Sequence, residues 1–308
     1  MAGLQSAMTI NDAHCHFFSR HFFETLAADV KDLPAGDSAV AVTSRLGWDP
    51  PVTSEALADR WAAELDRHGV ARAALIASVP GDEPSVAAAV ARHPGRFAGF
   101  FMLDPTREDA AARIERAVTE LRLRCLCLFP AMHRYRVDDD RVFQVLELAA
   151  AHPGTTVFVH CGVLSVGVRK KLGLASRFDI RLGDPLAVQV AASAFPRLPF
   201  IIPHFGAGFF REALVAADLT PNIYLDTSSS NAWIKYHAGL TLPDVFRRTL
   251  DVVGPDRLLF GTDSSFFPRG WQRGVFDAQR AALEAIGTDE ATQQKIFGAN
   301  FDRLFNFN

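Results

Sequence analysis

The strongest constraint on how this chain folds is an alternation that runs from Thr53 to Phe297. Short, nearly uninterrupted apolar runs take turns with longer stretches of helical periodicity. The apolar runs are Ala71–Ser78, Arg96–Leu103, Arg124–Phe129, Thr155–His160, Phe200–His204, Asn222–Asp226 and Arg257–Gly261; an earlier one, Thr9–Phe17, precedes them. Between them lie the helical stretches. Thr53–His68 carries Leu57, Trp61 and Leu65 at i, i+4 and i+8, and Glu108–Arg122 carries Ile114, Val118 and Leu121 on one stripe. Ser85–His93, Asp139–His152, Pro185–Phe195, Phe209–Ala217, Leu242–Val253 and Gln272–Ile286 read the same way, and Glu290–Phe297 closes the chain. A strand that is apolar on both faces has to be covered on both, which is the situation of a parallel sheet wrapped in helices. Eight such units in 308 residues predict an α/β fold, a closed (β/α)8 barrel of the TIM type, rather than an open doubly wound sheet. No Gly-x-Gly-x-x-Gly follows the first strand, which counts against a dinucleotide fold.

Two departures from the repeat stand out. The segment Phe18–Pro51 is a long insertion after strand 1, read as a helix over His21–Val30 and then a loop rich in Pro, Gly and Ser. Loops of this length inside a compact domain serve as lids or binding loops. Additional helices close the C-terminus. No break in composition divides the chain, so residues 1–308 read as one domain. Charged residues make up 22% with a net charge of −3. That balance gives no basic surface for nucleic acid or for an anionic membrane. No apolar run reaches the ~18 residues of a membrane span. Met1–Met8 lacks the pattern of a signal peptide. Cys15, Cys125, Cys127 and Cys161 fall in or at the ends of strands, not at disulfide-framework spacing. Together these features predict a reduced, cytoplasmic location.

In a barrel of this kind the active site forms where the C-terminal ends of the strands meet the following loops. Strand 1 ends in His14 and His16, strand 5 in His160, strand 6 in His204 and strand 7 in Asp226, while strand 8 leads into Asp263. The His-x-His spacing puts two imidazoles on one face of a strand, about 7 Å apart along the backbone. Four histidines and two aspartates thus converge on one rim, and so many buried polar groups without a shared purpose would be costly. By contrast His68, His93 and His152 sit at helix C-termini before Gly or Pro, where a histidine serves as a cap. Three histidines and a carboxylate suit one Zn²⁺, and also Mn²⁺ or Fe²⁺. His204 is open to three roles: a fourth ligand, a general base, or an electrophilic donor. Asp12 shares strand parity with residues 14 and 16, which suggests that it orients a ligand histidine. Asp226 is expected to act similarly.

Several motifs resemble the amidohydrolase superfamily, in its amidohydrolase-related branch that includes aminocarboxymuconate semialdehyde decarboxylase. They are DAHCH (Asp12–His16), VFVHCG (Val157–Gly162) and the segment Gly183–Gly208 ending PHFGAG. NIYLDTS (Asn222–Ser228), LLFGTDSSFFP (Leu258–Pro268) and IFGANFDRLF (Ile296–Phe305) complete the set. The resemblance implies metal ligands at His14, His16, His160 and Asp263 and a catalytic histidine at His204. It also implies that Asp263 exchanges a proton with the attacking water. Binuclear relatives bridge two ions with a modified lysine, usually at the end of strand 4. Here strand 4 carries Cys125 and Cys127, and none of Lys31, Lys170, Lys171, Lys235 and Lys295 ends a strand. One divalent metal per chain is therefore expected, zinc first. Cys125 and Cys127 read as small core residues.

The expected reaction is metal-dependent hydrolysis, with water attacking the carbonyl of a lactone, amide or ester. The alternatives are non-oxidative decarboxylation of an aromatic or muconate-type acid, and a metal-free lactonase-like or silent barrel. The partner is a small molecule, and a homodimer is the assembly that the resemblance suggests. Aromatic residues crowd the rim loops, Trp233 and Phe267 among them, and Arg20, Arg45, Arg134 and Arg269 offer forks for a carboxylate. Arg20, Arg45, Arg134, Trp233 and Phe267 are therefore candidates for substrate binding.

Overall fold

A computed structural model describes residues 8–307. Residues 1–7, and with them most of the segment read as lacking a targeting signal, lie outside the described residues. The strands are β1 (Ile10–Phe17), β2 (Val70–Ala77), β3 (Phe97–Leu103), β4 (Cys125–Leu128), β5 (Thr156–Val159), β6 (Phe200–Ile202), β7 (Ile223–Asp226) and β8 (Leu258–Leu259). All neighbours are parallel and follow sequence order from β1 to β8. The barrel closes between β8 and β1 through Ala13 N to Phe260 O (2.8 Å), Asp263 N to His14 O (2.9 Å) and His16 N to Ser264 O (2.7 Å).

Alternation along the strands builds two cores. Ala74, Ile76, Phe100, Met102, Cys125, Cys127, Phe158 and Ile201 point inward and fill the barrel. Their neighbours Leu75, Phe101, Leu126, Leu128, Val157, Phe200 and Leu225 point outward against the helices. The period-two pattern of each strand thus buries both faces, as a parallel barrel requires.

The helices are α1 (Arg20–Ala27), α2 (Ser38–Leu46), α3 (Ser54–His68), α4 (Glu83–Arg92), α5 (Ala110–Glu115), α6 (Pro130–His133) and α7 (Asp140–Ala151). The second half of the chain adds α8 (Gly167–Lys171), α9 (Pro185–Ala194), α10 (Phe210–Leu219), α11 (Leu242–Val253), α12 (Arg273–Ala285), α13 (Glu290–Gln294) and α14 (Asn300–Phe305). None of the described helices is long and apolar enough to cross a membrane.

The insertion differs from the sequence expectation, because α2 occupies what reads as loop. Its start and stop are chemically explicit: the Asp37 carboxylate accepts from Ala39 N and Val40 N, and Gly47 takes the left-handed conformation that ends the helix. Ala39 and Val42 on its inner face join Phe22, Phe23 and Leu26 of α1 and Val168 of α8 in a small core of their own. The two long excursions, after β1 and after β5, therefore pack on each other as one lid. An Arg169–Asp29 ion pair at 2.7 Å ties them together.

The lid is also anchored to the barrel. Ser19 caps α1 by accepting from Phe22 N, and its hydroxyl donates to Asp82 Oδ2 at 2.7 Å. Asp82 is buried and its Oδ1 has no partner among the described residues. Burial pushes its carboxyl up to about 6, against a partial offset from hydroxyl hydrogen bonds. A raised acid pKa means that the folded state holds the proton longer than the unfolded chain does. The associated stability is present below pH ~4 and is lost as pH rises towards about 6. Across that window the loss amounts to roughly 3 kcal/mol. Asp82→Asn is expected to match the wild type in thermal unfolding at pH 4 and to exceed it at pH 7. Equal pH dependence in the two proteins would remove this account.

Candidate metal and catalytic site at the barrel mouth

The histidines of β1 are aimed by partners from two other strands. His14 Nδ1 lies 2.6 Å from Asp226 Oδ2 at the end of β7. A carboxylate only accepts, so Nδ1 carries the proton and Nε2 presents its lone pair. His16 Nδ1 lies 2.7 Å from the Ser78 hydroxyl, which itself donates to Ile76 O at 3.0 Å. The hydroxyl therefore accepts from His16 Nδ1–H, and His16 too presents Nε2. Both lone pairs point at the same carboxylate oxygen: Asp263 Oδ1 is 3.2 Å from His16 Nε2 and 3.8 Å from His14 Nε2. Three acceptors facing one another repel unless a cation or a proton sits among them. Their atoms lie within 4.8 Å of one another, close enough to share one ion.

Burial lowers the pKa of His16, and burial with its histidine neighbours lowers those of His160 and His204. Neutral imidazoles are what a metal requires. His14 behaves oppositely: burial pulls its pKa down, but the Asp226 carboxylate outweighs it and raises the net value. Burial alone would raise the Asp263 carboxyl, yet the His16, His14 and His204 imidazoles around it hold it well below the usual carboxylate range.

His160, at the end of β5, stacks on Phe129 with ring centroids 5.4 Å apart and stands 5.3 Å from the His204 ring. It is outside the close trio. Its Nδ1 is buried and has no hydrogen-bond partner in the described residues, a costly state for a polar atom unless something else binds there. The donor set and this orphaned nitrogen both fit a divalent ion.

His204 follows β6 in a run of left-handed backbone: φ is 55° at His204, 52° at Phe205 and 44° at Ala207. Strain of this sort persists where the surroundings dictate it, and it clusters at functional sites. Gly162, after β5, lies directly against this run, and a Cβ there would strike the carbonyl oxygens of Gly206 and Ala207. His204 Nδ1 lies 2.8 Å from Ser228 Oγ and 3.3 Å from Ser228 O. The carbonyl can only accept, so Nδ1 donates and Nε2 is an acceptor. Ser228 Oγ is also 3.0 Å from His14 Nδ1, and Ser228 N donates to Asp226 Oδ1 at 2.6 Å. His14, His204 and Asp226 form a second group close enough to share an ion. There the protons of Nδ1–H and hydroxyl groups already link the atoms, so a hydrogen-bond chain describes it better.

Asp12 departs from the expected strand parity. Between Asp12 and Cys15 the register with β2 slips: Asp12 faces Ala73 and Cys15 faces Leu75, so three steps on β1 match two on β2. Such a bulge moves a residue to the other face. Asp12 consequently points away from the imidazoles. It accepts from His14 N (2.9 Å), Thr262 N (3.1 Å), Thr262 Oγ1 (2.5 Å) and Trp271 Nε1 (2.7 Å). It holds the seam between β1 and β8 rather than a ligand ring.

His14, His16, His160, His204 and Asp263 line a cavity of about 680 Å³. Phe18, Trp48, Trp233 and Phe266 line the same cavity, and the Phe18 ring lies 5.7 Å from that of His16. The arginines are placed differently from the expectation. Arg20 pairs with Asp37 at 2.7 Å, Arg45 donates to the carbonyls of Lys31 and Asp32, and Arg134 donates to Arg177 O. None of these three lines the cavity. For Arg45 the reason is α2, whose last turn aims it back at the preceding loop. Phe267 also lies outside, packed between Trp61 and the guanidinium of Arg60. Arg269 does line the cavity, together with Lys171 and Lys235. Ser78 and Ser228 are not among the sequence candidates, although each ends or follows a strand. A lone hydroxyl gives a weaker signal in a sequence than an imidazole or a carboxylate does.

Comparison with known proteins agrees with the fold. The family model described as Amidohydrolase matches residues 11–307. A curated relative, protein fluG of Emericella nidulans, is 28% identical over 134 residues; that stretch covers 42% of this chain and only 15% of the relative. Among solved structures, 5-carboxyvanillate decarboxylase LigW from Sphingomonas paucimobilis superposes with a TM-score of 0.65 at 19% identity, covering 98% of this chain and 100% of that one. A probable 2-pyrone-4,6-dicarboxylic acid hydrolase from Acinetobacter baumannii gives 0.62 at 14% identity, covering 97% and 100%. An amidohydrolase from Burkholderia multivorans with bound zinc gives 0.62 at 16%, covering 97% and 99%. At these identities the likenesses show the shared fold.

Proposed function

Because this chain belongs to the amidohydrolase family, we propose that it is a metal-dependent hydrolase acting on the carbonyl of a small, flat, carboxylated substrate. The observation that carries the reading is the convergence of His14 Nε2, His16 Nε2 and Asp263 Oδ1 in a cavity that aromatic side chains also line. His14, His16, His160 and Asp263 would hold one divalent ion, with zinc first and manganese or iron as the other candidates. Such an ion supplies a Lewis acid and makes water a competent nucleophile near neutral pH.

The chain's own groups handle the protons. His204 is held with Nδ1–H on Ser228, so its Nε2 is ready to accept a proton from water. Asp263, kept ionised by the imidazoles around it, can take a proton and return it to the leaving group. The aromatic side chains in the lining exclude bulk water and favour a planar ring. Among similarly folded proteins are one named as a decarboxylase and one named as a probable hydrolase, so the test has to read both reactions. Protein purified without chelator is expected to contain about one divalent ion per chain. A panel of lactones, amides and hydroxybenzoates, followed by mass spectrometry and CO₂ release, is expected to give products heavier by one water. CO₂ without water addition would replace hydrolysis by decarboxylation, and turnover by metal-free protein would remove both.

A further inference from the structure

The cavity's charges are unbalanced. Lys171, Lys235 and Arg269 line it against the single carboxylate of Asp263. Three arginines in or beside the lid are paired with carboxylates: Arg20 with Asp37, Arg60 with Asp49 and Arg169 with Asp29. Lys171 and Arg269 have no carboxylate within 4.0 Å among the described residues. Both instead border one aromatic platform. Trp48 and Phe266 stack with centroids 3.8 Å apart and planes 8° from parallel. Lys171 Nζ stands 5.5 Å from each ring, and the Arg269 guanidinium carbon is 4.4 Å from Phe266. Ring faces attract cations but do not neutralise them. Two like charges gathered on one platform are best satisfied by an anion between them.

The platform is built into the lid. Lys171 ends α8, a short helix fixed by the burial of Val168 in the lid core and by the Arg169–Asp29 pair. Arg269 is fixed from the other side, donating to Ser265 Oγ at 2.7 Å. We propose that Lys171, with Arg269, binds a carboxylate of the substrate remote from the reacting carbonyl, so that the site selects flat molecules carrying two acid groups. This rests on the reading of the cavity as the substrate site. A guanidinium contributes a fork and an ammonium a point charge, so together they take one carboxylate from two directions. Lys235 adds to the positive field of the cavity.

The test uses the metal-loaded protein and two probes, benzene-1,3-dicarboxylate and benzoate, with affinities from calorimetric titration. The wild type is expected to prefer the dicarboxylate by about 10- to 100-fold, the value of one charge-assisted contact. Lys171→Met keeps the aliphatic stem and is expected to reduce that preference to near unity; Lys171→Arg is expected to retain it. Lys171 is exposed, so thermal unfolding of both variants should match the wild type. A wild type without the preference, or a Lys171→Met variant that keeps it, overturns the proposal. Preference for the dicarboxylate in a protein that hydrolyses no lactone or amide leaves this proposal standing and removes the hydrolase reading.

Discussion

Replacing His14 by alanine is expected to abolish the proposed divalent-ion binding and to destabilise the fold, whereas His16→Asn is expected to abolish the binding alone. Both changes delete one of the two Nε2 atoms that face Asp263. A site reduced by one ligand is expected to lose metal affinity by at least about two orders of magnitude, the scale at which even outer partners matter. The difference lies in what stands behind each ring. His14 covers Asp226, whose side chain is 1% exposed and whose carboxylate takes its 2.6 Å hydrogen bond from His14. Removing that partner leaves a buried carboxylate with only the Ser228 N–H to hold it, at a cost of up to about 3–5 kcal/mol. His16 is 20% exposed and backed by the Ser78 hydroxyl, a neutral group that can turn to another partner. Chelated samples of the two variants should therefore differ in unfolding temperature, while elemental analysis finds both depleted of metal. Full metal occupancy in both variants would eliminate the site as drawn.

The barrel was legible because its signal is repeated eight times. Period-two apolar runs and helical stripes reinforce one another, so a weak pattern at β8, only two residues long, is carried by its neighbours. The strand-end rule then picked out His14, His16, His160, His204 and Asp263, which line one cavity. What escaped was local. A single bulge in β1 inverted the face of Asp12, and periodicity has no memory of an inserted residue. Helix α2 is nine residues long, with only Ala39, Val42 and Thr43 buried, too short a pattern to rise above the Gly and Ser around it. The missed helix in turn misplaced Arg45, since a side chain on a helix end points elsewhere than one on a loop. Of the cavity's cations, Lys171 sits on a short helix of the lid and Lys235 on a single helical turn after β7, and the placing of both depends on contacts between segments far apart in sequence.

His204 poses the sharpest remaining question, because the groups around it allow it to be a proton acceptor or a ligand. His204→Asn separates the two. The backbone there has φ 55°, a conformation that asparagine tolerates better than most residues. Its side-chain amide can reproduce the Nδ1–H donation to Ser228, so that residue, whose hydroxyl meets His14 and whose N–H meets Asp226, stays in place. What the substitution cannot reproduce is the Nε2 lone pair. If that atom accepts the proton of the attacking water, turnover is expected to fall by about 10²- to 10⁴-fold with metal content unchanged. If the ion is lost instead, the group His14, His204 and Asp226 becomes the better description of its site, and the proton has to be taken by Asp263 alone. Metal content and rate, measured on the same preparation, decide between a ligand and a base.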